Sequence, residues 1–294
     1  MADEIWTILK VLQWTTDYFR RKGLEQPRSD AEVLLAHALN LRRVDLYLRY
    51  DQPLRPEELA RYRALIQRRA AREPTQYITG RQEFWSLTLE VSPAVLIPRP
   101  ETELLVELAL EAFPDTPLRA LDIGTGSGAI AIALATERPQ WHVLAGDVSH
   151  EALQLARRNA QRHGVDGRIH FFRGDLTAPL RPSPPAFHVI CANPPYIGDA
   201  EWSELAPEIT GFEPRQALLG GGPDGTLLPA RLLREAIPLL CPKGVLLMEI
   251  APSQAQKLQH LAHSLGSNTQ VSIHKDYGGK LRVLRIVKSQ NRQS

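Results

Sequence analysis

Hydrophobic positions over residues 1–75 recur every three or four, the period of helices that bury one face. Ile5, Leu9, Leu12, Thr16 and Phe19 mark a first helix. Gly23 stops it, because glycine takes a left-handed cap conformation without strain. Ser29 with Glu32 reads as a capping box that opens a second helix through Val33, Leu34, Ala38 and Leu39. Pro56 suits the first turn of a third, whose inner face takes Leu59, Tyr62, Leu65 and Ile66. The pattern predicts a small helical bundle over 1–75.

The helical period stops after Pro74. Residues 76–97 hold short apolar stretches broken at Ser92-Pro93 and predict a β-hairpin linker. Pro98-Arg99-Pro100 interrupts any regular element, and a helix resumes over 101–112. From 118 onward strands and helices alternate. Strands are expected at 118–123, 141–145, 169–172, 187–192 and 245–250, with helices at 130–136 and 150–163. This order predicts an α/β fold, a mostly parallel sheet covered on both faces, as the domain 98–288. The last two strands, near 271–274 and 281–287, flank Tyr277-Gly278-Gly279, too short a link for a parallel crossover. The seventh strand is therefore antiparallel.

Composition adds bounds. A chain of 294 residues suits about two domains and needs no disulfide staple. Cys191 and Cys241 are the only cysteines, and no His spacing joins them into a metal site. The opening MADEIWTILK has acids where an export signal needs bases, and no apolar run approaches about 18 residues. A cytoplasmic chain is expected. The net charge of +2 is too small for a protein that coats nucleic acid. Arg61, Arg63, Arg68, Arg69 and Arg72 form an acid-free stretch, either a solvated helix face or a contact surface for an acidic or RNA-bound partner.

The candidate chemistry lies at the strand ends. Asp122-Ile123-Gly124-Thr125-Gly126-Ser127-Gly128 follows an apolar strand and opens a helix, so a ligand can touch backbone N–H groups there. The spacing is neither the dinucleotide fingerprint nor a phosphate loop. Asp147 ends the second strand and Asp175 the third, each either a strand-end cap or an acceptor: Asp147 for ribose hydroxyls, Asp175 for an adenine amino group. The loop carries no Lys or Arg, and Asp122 disfavours a phosphate, so the pattern suits a nucleoside bearing a cation.

Asn193-Pro194-Pro195-Tyr196 follows the fourth strand. The prolines hold Asn193 and Pro194 extended and offer no N–H. The Asn193 side-chain oxygen and the Pro194 carbonyl are then two rigid acceptors for one NH2 group, with Tyr196 beside them as a flat surface and a hydroxyl. Such a pair orients a planar nitrogen and stabilises the charge that develops on it.

These motifs, with RQEFW at 81–85, LIPRPETEL at 96–104, FEPRQAL at 212–218, GGPDG at 221–225 and MEI at 248–250, resemble the peptide chain release factor glutamine methyltransferases, of the class I S-adenosylmethionine-dependent methyltransferases. The resemblance spans roughly 75–288. It implies a Rossmann-like sheet of seven strands and methylation of the side-chain amide nitrogen of the glutamine in the Gly-Gly-Gln tripeptide of release factors 1 and 2. The cofactor implied is S-adenosyl-L-methionine. The helical domain would help engage the release factor, the chain would be a monomer, and no nucleic acid, membrane or metal is implied. Gly124, Thr125, Gly126, Ser127 and Gly128 would form the cofactor loop, Asp147 would hold the ribose, and Asp175 and Leu176 would flank the adenine. Asn193, Pro194, Pro195 and Tyr196 would hold the glutamine, with Asn193 also near the cofactor. The segment from Arg99 to Glu103 would close near both. Many relatives have an aromatic where this chain has Leu176, and a glycine where it has Ala251. Competing readings are an adenine-N6 methyltransferase acting on nucleic acid, a glutamine methyltransferase for another protein, and a binding module without activity. Base extrusion needs a strongly basic face that the composition lacks, and a binding module has no use for paired NH2 acceptors.

Overall fold

A computed structural model describes residues 5–180, 186–266 and 268–290, so the proline-rich stretch 181–185 lies outside the description. The chain divides into two compact units, one running to Arg81 and including Ala206–Phe212, the other comprising Gln82–Leu205 and the chain from Glu213 onward.

The first unit is helical: α1 Ile8–Arg21, α2 Pro27–Leu39, α3 Arg43–Leu48, α4 Pro56–Ala70 and α5 Thr75–Thr79. Its core holds Ile8, Leu12, Phe19, Leu34, Leu35 and Tyr62. The buried stripe of α1 differs from the expected one. The helix starts at residue 8, so Ile8, Val11, Leu12 and Thr15 face inward, while Ile5 and Leu9 are 65% and 38% exposed. Nor do Ser29 and Glu32 cap α2. Pro27, with its preset φ, starts that helix three residues earlier, with Gln26 in the cap position. Glu32 is instead buried and accepts from Arg28, Arg43 and Tyr47, donors that together offset its desolvation and hold its carboxyl below the usual range. The arginine stretch is largely used inside this unit: Arg68 pairs with Glu73, Arg69 with Asp30, and Arg69 and Arg72 share Glu208. Only Arg61 and Arg63 of the five remain as an exposed face outside these pairs.

The second unit opens with a hairpin, β1 Arg81–Phe84 and β2 Leu87–Glu90, whose two turn residues, Trp85 and Ser86, both have positive φ, at 51° and 58°. That geometry matches the twist of paired strands. After α6, Glu103–Ala112, come β3 Leu118–Ile123, α7 Ala129–Glu137, β4 Trp141–Asp147, α8 His150–Arg162, β5 Ile169–Arg173, β6 Phe187–Ala192, β7 Leu240–Glu249, β8 Thr269–Lys275 and β9 Leu281–Lys288. Seven strands form one sheet in the order β5-β4-β3-β6-β7-β9-β8. The pairs from β5 to β7 are parallel, and β9 runs antiparallel to both β7 and β8. Each face carries its own apolar layer, one including Leu105, Ile132 and Trp141, the other Leu232, Leu246 and Leu258. Chain order reverses between β3 and β6, the place where sheets of this kind leave a crevice at their carboxyl ends. Among the described residues no helix is long and apolar enough to cross a membrane.

Candidate active site

The carboxyl ends of β3, β4 and β6 lie in register, with Ile123 beside both Gly146 and Ala192. The loops that follow are tied together: Gly124 N and Thr125 N donate to the Gly146 carbonyl at 2.9 and 3.0 Å, and Gly174 N to that of Asp147 at 3.0 Å. They wall a cavity of about 530 Å³, a size that suits a nucleoside with a short side arm. Its lining brings together Gly124 through Ser127, Asp147, Asp175, Leu176, Asn193 and Pro195.

Gly128 is not part of that wall. It caps α7 at φ 85°, and a Cβ there would lie 2.9 Å from Ile132 and 3.2 Å from Ala156, so its smallness serves helix packing behind the loop. Asp122 is wholly buried; its Oδ2 takes the Thr125 hydroxyl at 2.7 Å and its Oδ1 has no partner. Burial pushes its carboxyl up to about 7, with the charge of Asp147 adding to the effect.

Asp147 accepts Gly126 N at Oδ2 and Ser149 N at Oδ1, both at 2.9 Å. It is thus a loop cap, and each oxygen keeps a further lone pair for hydroxyls. Asp175 is more exposed and pairs with Arg231 at 2.9 Å, a cavity residue the sequence did not single out. Arg231 also holds Glu235 at 2.7 Å, so its charge is already matched by two carboxylates. Leu176 adopts φ 49°, unusual for a branched residue.

The corner after β6 is built from several sides. Ile197 N donates to Leu218 O at 2.8 Å, and Gly220 N returns to Ile197 O at 3.0 Å. Gln254, buried, donates to the carbonyls of Tyr196 and Asp224, both at 2.7 Å. Glu213 is buried too; it takes Ile97 N at 3.2 Å and the Arg99 guanidinium, bracing the Pro-Arg-Pro segment against the 213–218 loop. Of this corner, Asn193 and Pro195 line the cavity, and Pro194 and Tyr196 are not part of the lining.

Asn193 donates through Nδ2 to Thr102 Oγ1 at 3.0 Å, which leaves its Oδ1 as the acceptor the sequence anticipated. The Tyr196 hydroxyl does not stand ready beside that oxygen. It donates to Glu249 Oε1 at 3.1 Å, and burial with the neighbouring carboxylate raises its phenol far above the usual range, so it stays neutral. Thr102 donates to Glu249 Oε2 at 2.7 Å. Glu249 is 1% exposed, and burial raises its carboxyl against the pull of Thr102 and the charge of Arg282. The strand expected at 245–250 takes in Glu249 without giving it a role. The signal for more was an acid closing the apolar run Val245 to Met248, since a buried acid needs partners. Asn159 was missed as well: buried in α8, it donates to the carbonyls of Ser127 at 2.9 Å and Glu90 at 3.0 Å, supporting the glycine loop from the hairpin.

Residues 10–80 match the family model "PrmC N-terminal domain" and residues 101–210 the model "Methyltransferase small domain". The chain is 41% identical over 292 residues to a release factor glutamine methyltransferase of Rhodopirellula baltica, covering 98% of each chain. It is 48% identical over 253 residues to one of Geobacter sulfurreducens, covering 86% of this chain and 87% of that one. A crystal structure of a methyltransferase from Pyrococcus furiosus shares the fold with a TM-score of 0.52 and 23% identity, over 69% of this chain and 90% of its own.

Proposed function

This chain belongs to the release factor glutamine methyltransferase family, and from that premise we propose that it transfers a methyl group from S-adenosyl-L-methionine to the side-chain amide nitrogen of the glutamine in the Gly-Gly-Gln tripeptide of release factors 1 and 2. The same reading assigns it to the cytoplasm, as a monomer. The observation that carries the reading is the Asn193 amide, turned with its nitrogen on Thr102 and its oxygen left as an acceptor on the wall of the cavity that Gly124–Ser127 also lines.

The residues of that cavity fit the cofactor. A nucleoside needs hydroxyl acceptors and close backbone, which Asp147 and the glycine turn offer, and no phosphate clamp is present because Arg231 is matched by Asp175 and Glu235. Asp122, buried beside the loop, would favour positive charge nearby in its ionised form. In this proposal Gly124, Thr125, Gly126 and Ser127 hold the cofactor by their backbone, Gly128 keeps the turn against α8, Asp147 takes the ribose hydroxyls, and Asp175 and Leu176 border the adenine. When bound, S-adenosyl-L-methionine supplies a methyl carbon on a cationic sulfur that departs as a neutral thioether.

In this proposal Asn193 Oδ1 accepts one N–H bond of the substrate amide at the cavity wall, and the Pro194 carbonyl, outside the cavity's lining, accepts the other from the substrate's side. An amide nitrogen is a weak nucleophile because its lone pair is delocalised. Two fixed acceptors strip its water, aim it, and stabilise the positive charge that grows as the C–N bond forms, which costs no reorganisation at that moment. Pro195 and the Tyr196 ring stiffen and flank that corner. The nitrogen then gives one proton to solvent. No side chain here needs to act as a strong base, and the neutral Tyr196 phenol is not one.

The test is transfer of labelled methyl from S-adenosyl-L-methionine. One methyl should enter each release factor and none a release factor whose tripeptide glutamine is replaced by alanine. Duplex DNA should stay unlabelled. Labelled DNA with unlabelled release factor would assign the acceptor pair to adenine instead.

A further inference from the structure

Asn193 can meet Thr102 in two ways, and the difference decides what it shows the cavity. With Nδ2 on Thr102, an acceptor is left over; with Oδ1 on Thr102, a donor is left over, which would repel an incoming NH2 group. The bond between the two residues does not choose, because a hydroxyl can give or take. The choice is made one step further away. Glu249 accepts at both oxygens, from the hydroxyl of Thr102 at 2.7 Å and from that of Tyr196 at 3.1 Å, and neither hydroxyl has a second proton to give. Once its proton is committed, Thr102 Oγ1 can only accept, and Asn193 must present Nδ2 to it, as it does at 3.0 Å. The opposite turn would set two lone pairs facing each other beside Thr102 and Glu249, which are 4% and 1% exposed. Thr102 also precedes α6, where a threonine ordinarily turns its oxygen to the helix N–H groups; here it makes no such bond. Arg282, paired with Asp276 at 3.1 Å, puts positive charge beside Glu249.

Resting on the methyl-transfer reading above, we infer that Thr102 and Glu249 are positioning residues whose chain of donated protons fixes the Asn193 amide with its oxygen toward the substrate nitrogen. Neither touches the reacting atoms. Thr102→Val removes the hydroxyl at equal shape, and Glu249→Gln keeps the size but lets the 249 side chain donate as well as accept. Each should lower kcat by about tenfold to a hundredfold, as expected for a misaimed acceptor, with KM for the release factor and affinity for S-adenosyl-L-methionine within about threefold. The double variant should lose no more than the worse single one, because one chain is broken once. Thr102→Ser should restore at least half of the wild-type kcat.

A second readout needs no turnover. In protein with 15N-labelled asparagine, assigned with Asn193→Asp, an Asn193 Nδ2 proton should exchange slowly with solvent in the wild type and Thr102→Ser, and at least tenfold faster in Thr102→Val and Glu249→Gln, all read where unfolding curves show folded protein. Unchanged exchange together with kcat within twofold in Thr102→Val would overturn the inference. So would a loss confined to KM, or losses that multiply in the double variant. Wild-type protein that transfers no methyl to release factor would instead count against the functional reading, and the exchange rates would still decide the amide's orientation.

Discussion

Asp122 shows how much burial can cost a single acidic side chain. It is wholly buried with one oxygen unpartnered, and burial lifts its carboxyl to about 7. A raised value means that the folded state holds the proton more tightly than the unfolded chain does. The stability this lends is complete below the unfolded value of roughly 4 and is lost as pH rises through about 7. Asp122→Asn should therefore be more stable than the wild type at pH 8 in urea unfolding, with the advantage shrinking by roughly 2 kcal/mol at pH 5. A difference independent of pH would mean that Asp122 does not titrate in this range. The same variant should bind S-adenosyl-L-methionine more weakly. At the substrate corner, Asn193→Ala should cut kcat by about a hundredfold or more while cofactor affinity changes less than about threefold. Equal losses in both would point to a structural role. The motif around Asn193 was legible because prolines leave few conformations. Its hydrogen-bond direction was not, since Thr102 and Glu249 lie 91 and 147 residues from their partners in the chain.

At the scale of elements, local rules served where one residue sets the geometry. Pro56 starts α4 and Gly23, at φ 69°, follows the end of α1. They failed where two signals competed: Pro27 starts α2, and the apparent capping pair Ser29 and Glu32 falls inside the helix. The glycine-rich loop at 221–225, which the sequence offers only as part of the family resemblance, is explained by its contacts. Gly225 has φ 67°, and a Cβ on it would come within 2.0 Å of the Tyr196 carbonyl oxygen. Gly225→Ala must push the Pro-Tyr corner aside. It should destabilise the protein by about 1–3 kcal/mol, seen as a lower Tm, and reduce kcat while the glycine turn still binds cofactor. A fully active, equally stable variant would show that the corner tolerates displacement.

Across the whole molecule, the helical core and the two apolar layers of the sheet are separate clusters, and the cavity belongs to the sheet unit alone. Binding of S-adenosyl-L-methionine should thus slow amide hydrogen exchange in the loops after β3, β4, β5 and β6, and leave α1 through α4 within twofold; protection centred on those helices would contradict the assignment of the cavity. What the chain alone determined was its elements and the kind of chemistry at their ends: hydrophobic period separates helices from strands, a short link through Tyr277-Gly278-Gly279 compels an antiparallel close, and glycine, proline and acid at strand ends specify a turn, a rigid corner and an acceptor. Those are short-range consequences of backbone sterics. Only the tertiary structure decided which groups meet across the sheet, namely Asn193 with Thr102 and Glu249, Arg231 with Asp175, Asn159 with Ser127, and Gln254 with Tyr196. Where these groups are buried, as Thr102, Glu249, Asn159 and Gln254 are, water is removed as an alternative partner, so the direction of each hydrogen bond follows from three-dimensional neighbours that no sequence spacing encodes.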